Sequence, residues 1–201
     1  MAVIQQTRFA SVDALRGITV AAMLLVNNPG DWGHVYAPLL HADWHGCTPT
    51  DLVFPFFLFI VGVSIALGIV PRVEAGADIS LLRRTVLIRA AKIIGLGLAL
   101  HLLSFLLMDK EWFRPWGVLQ RIGLCFAVVG LLALHSKARL QWAVVTALLL
   151  GYWGLLLIGG SFEPWINLAS RVDTALLGPL LYQFDPATGL GHDPEGLLST
   201  L

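Results

Sequence analysis

Residues 41–68, HADWHGCTPTDLVFPFFLFIVGVSIALG, decide the fold. The first third is polar, carrying His41, Asp43, Trp44, His45 and Asp51 with almost no aliphatic bulk. From Leu52 to Val70 there is no charge and a nearly unbroken apolar run. About 20 apolar residues in a helix cross the ~30 Å hydrocarbon core, so the stretch reads as a polar loop feeding a membrane helix. Thr48-Pro49-Thr50-Asp51 reads as the helix start: a Thr cap, Pro at the first helical position and an acid three residues after the cap. Chemistry is expected in this histidine-bearing loop.

Composition agrees with a membrane setting. Of 201 residues 57% are apolar and 13% charged, and the mean hydropathy is +0.77. A soluble domain carries roughly 25% charged residues, so an integral membrane protein is expected. The formal net charge of zero offers no basic surface to nucleic acid, and no such partner is expected. Cys47 and Cys125 fall in a loop and inside an apolar run, at different depths, and read as free thiols. The apolar run Gly17 to Val26 does not read as a secretory signal, because Asp13 and Arg16 precede it and no small-residue cleavage site follows.

Five membrane helices are expected: Ala10 to Asn27, Leu52 to Val70, about Leu82 to Leu107, Val118 to His135 and Leu140 to Ile158. The fold class is an all-α, polytopic helix bundle forming one domain over residues 1–201, with a loop at 28–50 and a final segment at 159–201. That segment ends as though opening a further helix, so the chain is expected to be the N-terminal part of a larger bundle. Arg8, Arg16, Arg72, Arg83, Arg84, Lys137 and Arg139 gather on one side, and most acids, including Asp43 and Asp109, on the other. The positive-inside rule places the amino terminus in the cytosol and the His41 loop outside. Gly62 with Ala66, and Ser64 with Gly68, have the spacing for close helix packing, and Pro55 is expected to bend the second helix.

Ionisable groups at membrane depth are costly and mark function. Asp13 and Arg16, three apart on one helix face, pair with each other or with a bound anion. Arg83, Arg84, Arg89 and Lys92 face either the phosphates of a cytosolic cofactor or anionic lipid. Arg121 needs a partner, with Asp43 and Asp51 as candidates. Asn27 closes the first helix on the side where His41 opens the return. A neutral imidazole can attack an acyl donor or take a proton from a nucleophile, and a nearby amide can orient it or stabilise an oxyanion. His34, His41 and His45 fit no zinc signature by spacing, and no metal is expected.

The blocks SVDALRGITVAAMLLVNNPG, HADWHGCTPTDLVFPFFLFIVGVSIAL, GVLQRIG and HDPEGLLSTL together resemble the heparan-alpha-glucosaminide N-acetyltransferase family, and more closely its bacterial membrane branch. The resemblance implies transmembrane acetylation, from cytosolic acetyl-CoA as co-substrate to an amino sugar or glycan outside, within a lipid bilayer. It implies that His41 is the active-site histidine and Asn27 its catalytic asparagine. Asp13, Arg16, Arg89 and Lys92 then form the acetyl-CoA end, while Asp43, Trp44, Asp51 and Arg121 serve the acceptor or support the site. A homodimer is an open assembly. Two other readings remain: O-acylation of an envelope polysaccharide, and a non-enzymatic permease whose path would use Asp13, Arg16 and Arg121.

Overall fold

The computed structural model describes residues 9–108 and 110–200. Arg8 and Asp109, both used above to assign orientation, lie outside the described residues. The contacts divide the chain into two compact units, residues 1–77 and 78–201.

In the first unit, α1 (Ala10–Asn27) is followed by two single 3-10 turns, Trp32–His34 and Ala37–Leu39. A third 3-10 turn, Thr50–Leu52, runs directly into α2 (Val53–Gly68) and then the short α3 (Val70–Glu74). Thr19 and Val26 of α1, and Ile60 and Ile65 of α2, are the buried positions of these two helices. Arg16 reaches across to α2, donating from Nη2 to Ser64 Oγ at 2.9 Å. Ser64 in turn donates to the carbonyl of Ile60 at 2.8 Å.

Pro55 lies in the first turn of α2, and the helix runs on through it, because the N–H groups of a first turn have no intrahelical acceptor to lose. The interruption falls instead at Ile69, just before Pro71. Gly62 is also not a packing glycine within the described chain: a Cβ there would meet nothing within 4 Å.

The second unit contains α4 (Ile79–Leu107), α5 (Val118–His135), α6 (Ala138–Ile158) and the shorter α7 (Leu168–Leu177). A hairpin follows, β1 (Gln183–Asp185) antiparallel to β2 (Leu190–His192) with Phe184 opposite Gly191. The last turn is Leu198–Thr200. Asp78 starts α4 by accepting from the Ser80 N–H at 2.8 Å. The central feature is the antiparallel α4–α5 hairpin, which is closed by glycines. A Cβ on Gly130 would lie 2.8 Å from Val86 Cγ1, and one on Gly123 would lie 2.6 Å from Ile94 Cγ1 and 3.1 Å from the Ala90 carbonyl. One on Gly97 would lie 2.8 Å from Leu119 Cβ. Gly123 and Gly130, seven apart, fall on one helix face and let the backbones approach.

Among the described residues, five helices, Ala10–Asn27, Thr50–Glu74, Ile79–Leu107, Val118–His135 and Ala138–Ile158, are long and apolar enough to cross a membrane. α6 has no buried residue, and Leu149, Trp153 and Ile158 are exposed along it. Such apolar surface suits hydrocarbon as its solvent, since every backbone group of a helix is paired within the helix. The protein is an all-α, multi-pass membrane protein.

Candidate functional site

The loop from His41 to α2 is organised by one carboxylate. Asp51 Oδ2 accepts from the backbone N–H groups of Thr48 at 2.7 Å and Ala42 at 3.2 Å. Thr48 Oγ1 sits 2.7 Å from the Leu40 carbonyl and 3.0 Å from Asp51 Oδ2. The acid therefore reaches back to the N–H of Thr48, as the expected cap pattern requires. Thr48, however, does not return the bond: its hydroxyl spends its proton on Leu40 or Asp51. Thr50, 3% exposed, ties the same loop down by donating to the Pro38 carbonyl at 3.2 Å.

The other oxygen of Asp51 faces the imidazole. His41 Nδ1 lies 2.6 Å from Asp51 Oδ1, with 67% of the His41 side chain exposed and 26% of Asp51. An ionised carboxylate only accepts, so in the neutral ring this contact puts the proton on Nδ1 and leaves the lone pair on Nε2. That is the tautomer a nucleophile or base needs, and the exposed ring can present it. Sequence reasoning placed Asp51 among the supporting residues as a helix start; its bond to His41 spans ten positions and had no local signal.

Asn27 is exposed at the last residue of α1. Its neighbour Asn28 is committed elsewhere, donating from Nδ2 to the Leu24 carbonyl at 2.9 Å. Among the described residues no hydrogen bond joins Asn27 to His41. Asp43 and Trp44 are exposed in the same loop. His34 does not join His41: its Nδ1 is 2.5 Å from Asp31 Oδ2, and that contact, with the Gly33 N–H, holds the Asp31 carboxyl below its ordinary range.

Asp13 and Arg16 are brought together at 3.0 Å, and Ser64 takes a second arm of the same guanidinium. Beside this pair, an apolar recess between α1 and α2 is lined by Ser11, Val12, Leu15, Phe59, Ile60 and Val63. In the second unit, Arg89 and Lys92 are exposed on α4, three residues apart on neighbouring positions of the helix surface.

Arg121 donates to the carbonyls of Pro194 at 3.4 Å and of Ser199. The sequence suggested an acid partner for Arg121; these two bonds are to main-chain oxygens of the final segment. A stronger cationic anchor lies nearby and escaped sequence reasoning. Arg114 grips Asp193 through Nε at 3.2 Å and Nη2 at 2.5 Å, and Glu195 through Nη2 at 2.5 Å. Its guanidinium also lies 4.8 Å from the centre of the Tyr182 ring. The Asp193 side chain is wholly buried, and Trp116 Nε1 donates to the Glu195 carbonyl at 2.5 Å.

Asp173, 1% exposed, accepts from the N–H groups of Leu197 at 2.9 Å and Leu198 at 3.3 Å. Burial pushes its carboxyl up, and those two N–H groups pull against it. A Cβ on Gly196 would fall inside the contact shell of Asp173 Oδ2, so this close approach requires glycine. His192 Nδ1 lies 3.1 Å from Ser170 Oγ; burial pulls its pKa down, against the charges of Asp193 and Asp173. The conspicuous sequence signal for this assembly was the run HDPEG itself, whose acids are the anchored residues.

The match to known proteins covers the His41 loop and the long helices. The family model described as "Heparan-alpha-glucosaminide N-acetyltransferase, catalytic" matches residues 8–175. The chain is 31% identical to the Heparan-alpha-glucosaminide N-acetyltransferase of Homo sapiens, over 96% of this chain and 36% of that protein. It is 34% identical to the protein of the same name from Mus musculus, again over 96% of this chain and 36% of the relative. The chain thus spans little more than a third of these curated relatives. A model match across most of its residues, through the His41 loop and all five long helices, assigns the chain to the heparan-alpha-glucosaminide N-acetyltransferase family.

Proposed function

We propose that the chain carries the acyl-transfer site of a membrane N-acetyltransferase, taking acetyl groups from acetyl-CoA on the cytosolic side and delivering them to an amino sugar or glycan on the other. The observation that carries the reading is the His41–Asp51 contact at 2.6 Å. In the neutral ring it places the proton on Nδ1 and leaves the Nε2 lone pair presented, as a general base or a nucleophile needs.

As base, His41 Nε2 removes a proton from the acceptor amine as nitrogen attacks the thioester carbonyl. The C–N bond forms, the C–S bond breaks, and the imidazolium returns its proton to the departing thiolate. As nucleophile, Nε2 takes the acetyl group first and passes it to the amine. Both routes use the same lone pair, and both leave Asp51 ionised beside the imidazolium that forms. Asn27, with its amide uncommitted to the helix end, is the residue of this unit suited to donate to the carbonyl oxygen as charge develops on it. Asp43 and Trp44, exposed beside His41, are assigned to the acceptor.

Arg89 and Lys92 suit the phosphates of acetyl-CoA. Both are exposed cations well inside α4, where an unpaired charge in hydrocarbon is expensive. Asp13 and Arg16 form a neutral, tethered pair between α1 and α2, and are assigned to the walls of the same donor end.

The test is transfer of labelled acetyl from acetyl-CoA by the whole protein in liposomes. His41→Ala is expected to lose about 10²–10⁴-fold in turnover while the protein accumulates normally, because the side chain is exposed. Asp51→Asn is expected to lose activity and also to loosen the loop. Retained transfer in His41→Ala removes the imidazole from the mechanism; indifference of the wild-type protein to acetyl-CoA favours a permease.

A further inference from the structure

We propose that one end of the second unit is a docking site for the headgroups of anionic phospholipid, formed by Arg83 and Arg84 of α4 with Lys137 and Arg139 at the start of α6. The hairpin register brings these four together. A Cβ on Gly130 would lie 2.8 Å from Val86 Cγ1, so those residues are level, and Leu82 and Leu134 are both buried one turn further on. The start of α4 and the end of α5 therefore share one end of the hairpin. The turn into α6 is held there too: Ser136 Oγ donates to the Leu132 carbonyl at 2.5 Å, and Gln141 Nε2 donates to the Ser136 carbonyl at 3.2 Å.

All four cations are exposed, and none makes a side-chain hydrogen bond or ion pair among the described residues. Asp78 is the only acid in residues 78–92 and 130–142, and its carboxylate accepts from the Ser80 N–H at 2.8 Å. The start of α6 is short of negative charge as well. Helix starts favour acids, and a cation there opposes the helix dipole. α6 nevertheless has Lys137 at its cap and no acid in its first turn. An anion from outside the chain supplies the missing countercharge.

The position selects a lipid over a dissolved anion. α5 and α6 have 18 and 21 residues, about 27 and about 32 Å of helix, close to the ~30 Å hydrocarbon core. The turn between them thus lies at one boundary of that core, where headgroup phosphates stand. Leu81, Leu140 and Trp142 are exposed beside the cations. Apolar surface directly next to charge fits hydrocarbon meeting headgroups, and Trp is favoured at that boundary. Arg and Lys pair with phosphate oxygens, and clustered cations at the boundary attract an anionic membrane surface. Arg89 stands five positions beyond Arg84 along α4, about 7–8 Å deeper, so this patch is separate from the cations assigned to acetyl-CoA.

Melting temperatures of the whole protein test this, in nanodiscs of phosphatidylcholine alone and of phosphatidylcholine with phosphatidylglycerol in equal parts. The anionic lipid is expected to raise the wild-type value by roughly 2–4 °C or more, and high salt to shrink the rise. Replacing all four residues, Arg83→Gln, Arg84→Gln, Lys137→Gln and Arg139→Gln, should remove the rise, whereas Arg89→Gln with Lys92→Gln should keep it. A wild type indifferent to phosphatidylglycerol overturns the proposal, as does a rise that survives the fourfold replacement or is lost equally with Arg89 and Lys92. An equal rise from inorganic phosphate in phosphatidylcholine discs also overturns it, by marking a site for a free anion. If the fourfold variant does not accumulate, the α4 pair and the α6 pair are replaced separately, and an undiminished rise in both overturns it.

Discussion

Arg89 and Lys92 pose the sharpest question at the scale of single residues. Each is an exposed cation on α4, and exposed surface at this depth means lipid or a partner, not water. A guanidinium hydrogen-bonded to a phosphate contributes roughly 1.5–3 kcal/mol. Arg89→Ala is therefore expected to raise the KM for acetyl-CoA about tenfold or more, with the KM for the sugar unchanged. Initial rates at varied acetyl-CoA check this, and an unchanged KM returns Arg89 to contact with lipid headgroups. Asp13 and Arg16 differ: both are partly solvent-accessible and already paired, and such a pair contributes only about 0–1 kcal/mol. At this scale the sequence was readable where partners are close in the chain. Asp13 with Arg16, and Asp51 with Thr48, are each three apart. The Arg114 contacts to Asp193 and Glu195 were not readable, because residues 79 and 81 positions apart leave no periodic trace.

At the scale of elements, the glycines of the α4–α5 hairpin separate packing from mere helix content. Gly130→Leu would drive a side chain into Val86, 2.8 Å from where even a Cβ falls. Overpacking of this kind costs about 1–3 kcal/mol, so a clear drop in melting temperature is expected in detergent. Gly62→Ala, with open space around it, should leave the melting temperature unchanged or slightly raised through better helix propensity. Equal losses for the two variants would show that the close approach carries no stability. The ends of α1 and α5 were legible to the residue because hydropathy changes sharply at Asn27 and His135. α7 and the β1–β2 hairpin were not read, being too short for any periodicity to register. Their local signals were nevertheless present: Asn167 caps α7 by accepting from the Ser170 N–H at 2.9 Å, and Gly189, at φ +67°, closes the turn after Asp185-Pro186. The small-residue pattern in α2 misdirected the packing argument, since spacing alone does not say which glycine meets a neighbour.

For the molecule as a whole, the 161–200 segment holds to the second unit through few but strong bonds. Arg114→Ala would strand the wholly buried Asp193 carboxylate. Breaking a buried pair in this way costs about 3–5 kcal/mol, and the segment should become sensitive to limited proteolysis while α4 and α5 stay protected. Arg114→Lys should recover only part, lacking the forked geometry. Acid should act on the same region. Burial holds His192 below its ordinary value of 6.5, so the unfolded chain takes up a proton that the folded one refuses. Stability is then full above about 6.5 and lost as pH falls below it. Melting curves across that range check the sign, and His192→Gln should flatten this part of the profile.

The tight seat of Gly196 on Asp173 has a genetic corollary. Any missense change at codon 196 inserts atoms where a carboxylate already stands, and that carboxylate is what pins Leu197 and Leu198. Such an allele would read out as protein that fails quality control and disappears from the membrane, not as a stable enzyme with a slow turnover. Purified traces of it should retain an intact imidazole loop, which makes abundance, not specific activity, the trait to score.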